Sequence, residues 1–347
     1  MRVKSNKLAL RVLSTATFLA MVSSCATAAF AGTYYMEDGS ISIVAKTDGN
    51  YITQGTTIND QKDAGETVIT NHDSETASKN TVTIKAEEDC TAKVTLDDVN
   101  IDASKTGKAA LTVTGTGDTE IELSGDNTLV SGSGHAGLEK SDTYGSEPSQ
   151  NGSLTINAED TNSSLTATGG VSGAGIGGAS YRDSSNITIT GGNITATAGS
   201  SSGSDRTYCG AGIGGGAFGE GNNITISGGT VNATGGEGND YYHFGGAGIG
   251  GGYHCGANDI IISGNDTKVT ATGKDGGAGI GGGYAGDANS ITISGGTVDA
   301  TGGSSGAGIG GGGNRYYSKG GSASSITISG NNTHVTATGG YDGAGIG

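Results

Sequence analysis

The chain has 347 residues, of which 70 are Gly and one is Pro, with no Trp and 15% charged residues. The net charge of −16 argues against nucleic acid or an anionic membrane surface as partner, because both would repel it. Collagen is excluded, since it needs a strict G-X-Y period and abundant Pro. Large apolar residues are too few to fill a conventional globular core, which leaves either disorder or a thin core of Ile, Val and Ala repeated in layers.

Residues 1–31 read as a signal peptide. Arg2, Lys4, Lys7 and Arg11 precede a mostly apolar run from Val12 to Val22, too short to span a bilayer and of the right length for the hydrophobic part of an export signal. Two cleavage readings stand side by side. Ala29-Phe30-Ala31 before Gly32 is a small-x-small site for ordinary secretion. Val22-Ser23-Ser24-Cys25 resembles a bacterial lipoprotein box, in which Cys25 carries a lipid anchor. Beyond this segment 14 bases face 34 acids, and no later stretch is apolar enough to cross a membrane. The mature chain is therefore expected outside the plasma membrane, secreted or at the cell surface.

Residues 32–80 are polar and irregular, and read as an N-terminal cap, since the end of a stacked fold must be covered. Over 81–169, apolar pairs alternate at looser spacing: Val82/Ile84, Val94/Leu96, Val99/Ile101, Leu111/Val113, Ile121/Leu123, Leu154/Ile156 and Leu165/Ala167. Gly134-His135-Ala136-Gly137-Leu138 looks like a degenerate copy of a motif found downstream. Fifteen Gly lie before residue 170 and 55 at 170–347, so the composition itself divides the chain.

Residues 170–347 are a tandem repeat. Gly-Ala-Gly-Ile-Gly recurs at Gly173, Gly210, Gly246, Gly277, Gly306 and Gly343. Between these copies runs a second block, Ile187 to Thr197, which returns from Ile224, Ile260, Ile291 and Ile326. A period of this size implies a solenoid, propeller or array. In the unit starting at Ile224, apolar residues fall in three pairs at i and i+2: Ile224/Ile226, Val231/Ala233 and Ala247/Ile249. Period two means strands with one face inward. Three short strands with Gly-rich turns describe one triangular coil of a right-handed parallel β-helix. A propeller blade needs four longer strands, and a helical solenoid needs a 3.6-residue period. Insertions such as Ser200 to Tyr208 and Glu237 to Phe244 sit at fixed corners, as loops on one side of a solenoid do. At roughly 4.8 Å per coil, six coils stack to about 29 Å. The repeat breaks off inside a unit at Ile346-Gly347, which reads as a truncated sequence.

Three runs carry a family resemblance: Val94-Thr95-Leu96-Asp97-Asp98-Val99-Asn100-Ile101, Ala110-Leu111-Thr112-Val113, and Leu123-Ser124-Gly125-Asp126-Asn127-Thr128-Leu129. Together they resemble the bacterial carbohydrate-binding-domain family of secreted right-handed parallel β-helices. The Gly-Ala-Gly-Ile-Gly-Gly-Gly units are similar to those of bacterial surface proteins. The resemblance covers about residues 80–347. It implies a non-catalytic domain that binds extracellular or cell-wall polysaccharide, in some members with calcium.

Candidate contact residues follow from the Tyr distribution. Nine of 13 Tyr lie from residue 181 onward. Tyr181, Phe218, Tyr253, Tyr284 and Tyr316 each follow a Gly-Ile-Gly strand, and stacking the coils would align them in one aromatic column. Tyr208, Tyr241 and Tyr242 precede such strands and would form an opposite lip. Aromatic rings cover the C–H faces of sugars, and Tyr hydroxyls hydrogen-bond to sugar hydroxyls. The alternative is a structural column that shields the corner. Asp97, Asp98 and Asp102 offer oxygen ligands suited to calcium, although period two turns Asp97 and Asp98 to opposite faces. A solvated acidic face is the simpler account of them.

Catalysis finds little support. A polysaccharide lyase would need a base beside acidic calcium ligands, and Arg182, Arg206 and Arg315 all fall in insertion loops. His243 and His254 flank an extended strand and would lie far apart, as would Cys209 and Cys255, for which no disulfide is expected. Thr188, Thr225, Thr292 and Thr327 line up along one outward column, interrupted by Ile261. The reading is a polysaccharide-binding β-helix, with a structural adhesin or spacer and a polysaccharide lyase as alternatives.

Overall fold

The computed structural model describes residues 32–63, 65–142, 151–200, 208–238, 244–314 and 319–347. Residues 1–31, read above as a signal peptide, lie outside these residues, and with them Cys25 and Ala29 to Ala31. Among the described residues the chain is strand and turn, with one 3-10 turn at Met36–Asp38. No helix among them is long and apolar enough to cross a membrane.

Each coil of the repeat passes through three strands in fixed order. In one unit, Gly221–Ile226 lies in a first sheet, Thr230–Thr234 in a second and Ile249–Gly250 in a third. Like strands of successive coils pair in parallel. Ile187, Ile224, Ile260, Ile291 and Ile326 stack in the first sheet. Ala196, Ala233, Ala271, Ala300 and Ala337 stack in the second. Ile176, Ile213, Ile249, Ile280 and Ile309 stack in the third. Among the described residues these sheets hold ten, eight and eleven strands. The architecture is the right-handed parallel β-helix that the three apolar pairs per unit predict.

The alternation decides what lies inside. Ile224, Ile226, Val231, Ala247 and Ile249 are fully buried and Ala233 nearly so, forming one layer of a continuous core. Earlier coils use the same layers less regularly. Leu138 pairs with Ile176, so the degenerate Gly-His-Ala-Gly-Leu segment occupies the place of a Gly-Ala-Gly-Ile strand.

Two columns of special backbone repeat along the axis. The Gly ending each third-sheet strand (Gly177, Gly214, Gly250, Gly281, Gly310) holds φ between 130° and 140°. A methyl group on Gly250 would also overlap the Gly281 carbonyl oxygen of the next coil. Glycine is required there both for conformation and for close approach. The residue before each first-sheet isoleucine (Asn186, Asn223, Asp259, Ser290, Ser325) is left-handed, with φ of 52–58°. Asn and Asp tolerate that region best among residues with side chains. This backbone requirement accounts for Asn in the Asn-Ile-Thr triplets.

One position earlier again, polar side chains form a ladder. Asn258 Nδ2 donates to Asn222 Oδ1 (2.7 Å), Asn289 Nδ2 to Asn258 Oδ1 (3.0 Å) and Ser324 Oγ to Asn289 Oδ1 (2.6 Å). Charge-free amides stacked one per coil reinforce the backbone register.

The segment 32–80, which the polar sequence leaves irregular, holds five regular strands, Thr33–Tyr35, Ile41–Lys46, Gly49–Gln54, Ile58–Asp63 and Thr67–Thr70. Thr33–Tyr35 and Thr67–Thr70 extend the first sheet in parallel. Ile41–Lys46 joins the third sheet parallel to Val82–Ala86, and the chain then doubles back through Gly49–Gln54 and Ile58–Asp63, both antiparallel. This meander ends the third sheet on a strand whose Asp60, Gln61 and Lys62 are exposed, a charged edge that discourages further pairing. Met36, fully buried in the 3-10 turn, accepts hydrogen bonds at its carbonyl from Ser78 Oγ and Asn80 Nδ2.

Candidate functional site

The turn after each third-sheet strand carries the aromatic residues. The fifth residue past the isoleucine is left-handed in four successive coils: Tyr181, Phe218, His254 and Ala285. The N–H of Tyr181 donates to the Ala217 carbonyl, that of Phe218 to Tyr253 and that of His254 to Tyr284, which sets the register. Tyr253 and Tyr284 therefore stand one place earlier in their coils than Tyr181 and Phe218. The single aromatic column expected from sequence is two staggered ones. Tyr181 is 64% exposed and Phe218 half-buried, while Tyr253 is 7% and Tyr284 0% exposed.

The rings pack as a spine. Tyr181 and Phe218 stack, and Phe218 meets Tyr253 edge-on at 5.1 Å. Tyr208 touches both Phe218 (4.7 Å) and Tyr253 (4.6 Å), and Phe244 lies 4.8 Å from Tyr253. Tyr284 continues the stack at 5.5 Å from Tyr253, and its hydroxyl donates to Asn314 Oδ1 at 2.7 Å. Most ring faces are thus consumed by other rings. Tyr181 alone among these combines a stacked partner on one face with high exposure. Of the expected contact residues, Tyr241, Tyr242 and Tyr316 lie outside the described residues, as do His243, Arg206 and Arg315.

A second feature was not anticipated. The outward face of the first sheet holds a groove of about 300 Å³ lined by Glu66, Lys93, Glu120, Glu122, Asn157 and Thr190, among others. Strand pairing builds it. Lys93 opposes Glu120 and Thr95 opposes Glu122 on one side, and Glu122 opposes Asn157 on the other. Lys93 Nζ lies 2.9 Å from Glu120 Oε2, and Thr95 Oγ1 donates to Glu66 Oε1 (3.0 Å). Thr190 Oγ1 donates to Asn157 Oδ1 (3.1 Å), and Asn157 Nδ2 to Glu122 Oε2 (3.1 Å). Burial pushes the Glu122 carboxyl above its ordinary range, against the Asn157 bond and with the help of Glu66, Glu159 and Glu120. The hydrogen bond to Glu120 holds the Lys93 ammonium above its usual value. The signal lay in the alternation: Lys93, Glu120 and Glu122 adjoin buried Val94, Ile121 and Leu123 at outward positions, where the later repeat coils carry mostly Thr at the Glu120 place and Ser at the Glu122 place.

The Asp set is not assembled. Asp97 ends the strand Thr91–Asp97, Asp98 sits in the left-handed turn after it, and Asp102 ends Asn100–Asp102. Asp98 Oδ1 accepts the Asp126 N–H and Asp102 Oδ1 the Ser104 N–H, each at 2.9 Å. The Ser104 side chain and N–H hold the Asp102 carboxyl below its usual range. These two carboxylates serve turns. Among the described residues no group of three or more His, Cys, Asp or Glu is arranged to hold a metal ion. Cys90, Cys209 and Cys255 are free thiols, and burial raises those of Cys209 and Cys255 to about 12.

The degenerate coil also buries charge. Glu139 pairs with Gly177, and beside it Lys140 Nζ lies 3.5 Å from Asp142 Oδ1, the two side chains only 4% and 6% exposed. Burial pulls the Lys140 amine down, opposed by Asp142 and Asp118. Glu139 Oε2 is 2.8 Å from His135 Nδ1.

A family model described as "Beta helix repeat" matches residues 187–217, 224–253, 260–284, 291–313 and 326–347. Each matched segment opens on the first-sheet isoleucine of a coil. No curated protein and no solved structure matches the chain. The five matched segments are in register with the coils, and the chain folds as a parallel β-helix.

Proposed function

We propose that this chain is an exported, non-catalytic protein that binds extracellular or cell-wall polysaccharide along the first sheet. The observation that carries this reading is the groove of Glu66, Lys93, Glu120, Glu122 and Asn157, whose oxygen atoms lie in rows at strand spacing and suit the hydroxyls of an extended sugar chain. One coil links it to the aromatic corner. Tyr181 precedes and Thr190 follows the strand Ser184–Ile189, so an exposed ring and a groove residue flank the same strand. Export rests on the charge and apolar pattern of residues 1–31. The test is co-sedimentation of the mature protein with a panel of insoluble polysaccharides, with and without chelator. Retention on at least one, weakened by Tyr181→Ala, supports the reading, and no retention on any defeats it. The mass of the exported protein decides between cleavage before Gly32 and a lipidated Cys25.

A second reading, a spacer or adhesin stalk at the cell surface, is favoured by the burial of Tyr253 and Tyr284, which makes much of the aromatic corner a structural spine. That reading predicts no glycan retention and unchanged surface display in the Tyr181→Ala variant.

A further inference from the structure

The hydrogen bonds already made inside the groove restrict what it can accept. Thr95 spends its hydroxyl proton on Glu66, and Thr190 spends its own on Asn157. Asn157 directs an amide N–H to Glu122, and Lys93 directs its ammonium to Glu120. Besides the Thr155 hydroxyl, the second Asn157 N–H and the other Lys93 ammonium protons, the groove offers the oxygens of three carboxylates, which only accept. Three carboxylates share this surface with one ammonium, and Lys93 feels both Glu120 and Glu66. A sugar hydroxyl brings a proton to these carboxylates and can accept one from the same lining. A uronate brings a second acceptor and a like charge, and finds few donors to receive it.

Resting on the reading of the groove as a polysaccharide site, we propose that it selects polysaccharides free of carboxylates, with Glu120 and Glu122 as the residues that exclude polyuronates. The two side chains project from the same face of one strand at i and i+2, opposite Lys93 and Thr95. An extended chain lying along this strand passes both. Neutralising them as Gln keeps a hydrogen-bonding oxygen and adds a donor, so it lowers the barrier to an anionic chain without emptying the groove.

The experiment measures retention of the mature protein on amorphous cellulose and on insoluble polygalacturonate, for the wild type and for the Glu120→Gln/Glu122→Gln variant, in low and high salt. The expected result is wild-type retention on cellulose and not on polygalacturonate, with polygalacturonate affinity rising about tenfold in the variant. High salt should narrow the wild-type discrimination, a readout that does not depend on the variant folding. Equal wild-type retention on both polymers overturns the proposal and leaves polysaccharide binding standing. Retention on neither overturns the proposal, and the reading falls with it if the wider panel of polysaccharides also retains nothing. A folded variant with no gain on polygalacturonate, or a wild-type discrimination indifferent to salt, overturns the assignment to Glu120 and Glu122.

Discussion

Tyr181 and Phe218 lie face to face on adjacent coils, their centroids 4.8 Å apart and their planes within 6°. The spacing equals the rise of one coil, so the stack is a product of the ladder rather than of local packing. Exposure separates Tyr181 from the rings farther along. Tyr181→Ala is expected to lower polysaccharide retention by about two- to tenfold with an unchanged melting midpoint. Tyr253→Ala and Tyr284→Ala instead open a hole in a buried spine. They should cost about 3–5 kcal/mol of stability in denaturant unfolding, so loss of binding in those two variants would not identify a contact. A drop in melting midpoint for Tyr181→Ala as large as theirs would contradict this division.

Gly250 and Gly107 both have positive φ, at 130° and 66°, but only Gly250 faces the carbonyl of a neighbouring coil. Around Gly107 an added methyl meets nothing within 4 Å. Gly107→Ala should cost about 1–2 kcal/mol, the ordinary penalty of a left-handed residue. Gly250→Ala should exceed about 3 kcal/mol, because coils must separate to admit the methyl. Thermal unfolding of the two variants, side by side, checks the order.

Lys140 and Asp142 are buried together with one long contact between them. Lys140→Met leaves an unpaired buried carboxylate, and should destabilise by about 3–5 kcal/mol. The double variant Lys140→Met/Asp142→Leu should recover most of that loss, and a double-mutant cycle measures the recovery.

Glu122 has a carboxyl whose proton affinity is raised in the folded state by burial and by neighbouring carboxylates. The native state then holds this proton at a pH where the unfolded chain has lost it. The group destabilises the fold above its raised native value. That penalty fades as pH falls through this value toward the ordinary 4.5. Glu122→Gln should therefore be more stable than wild type near neutral pH, with the advantage vanishing in moderate acid. Melting curves across that range decide it, and an advantage that grows in acid would reverse the sign.

The later coils were legible because each demands the same few residues for separate physical reasons. Ile224, Val231 and Ile249 satisfy an inward face, Gly250 a positive φ and Asn223 a left-handed corner. Their recurrence made the period visible. The strands at 33–70 were not legible, because Asn50, Gln54 and Asp63 occupy buried positions and hide the alternation. Their polarity is satisfied locally: Asn50 Nδ2 donates to Thr67 Oγ1, and Gln54 Nε2 to the Tyr35 carbonyl. The Tyr were found but their stagger was not. Tyr253 directly follows its run of Gly, whereas Ala179 and Ser180 separate Tyr181 from Gly178, a one-residue difference that reads as noise until the backbone bonds fix the register. The groove needed strand pairing, since Glu66, Lys93, Glu120 and Asn157 meet only when four strands are laid side by side.

The asparagine ladder from Asn222 to Ser324 joins each coil only to the next, as do the glycine carbonyls and the aliphatic layers. No bond in these columns refers to a coil's position in the row. Such a molecule can gain or lose a whole turn and present its neighbours with an identical surface. A deletion of half a turn would leave an odd strand out of step in all three sheets. Length in this protein is therefore free to vary, but only in integers.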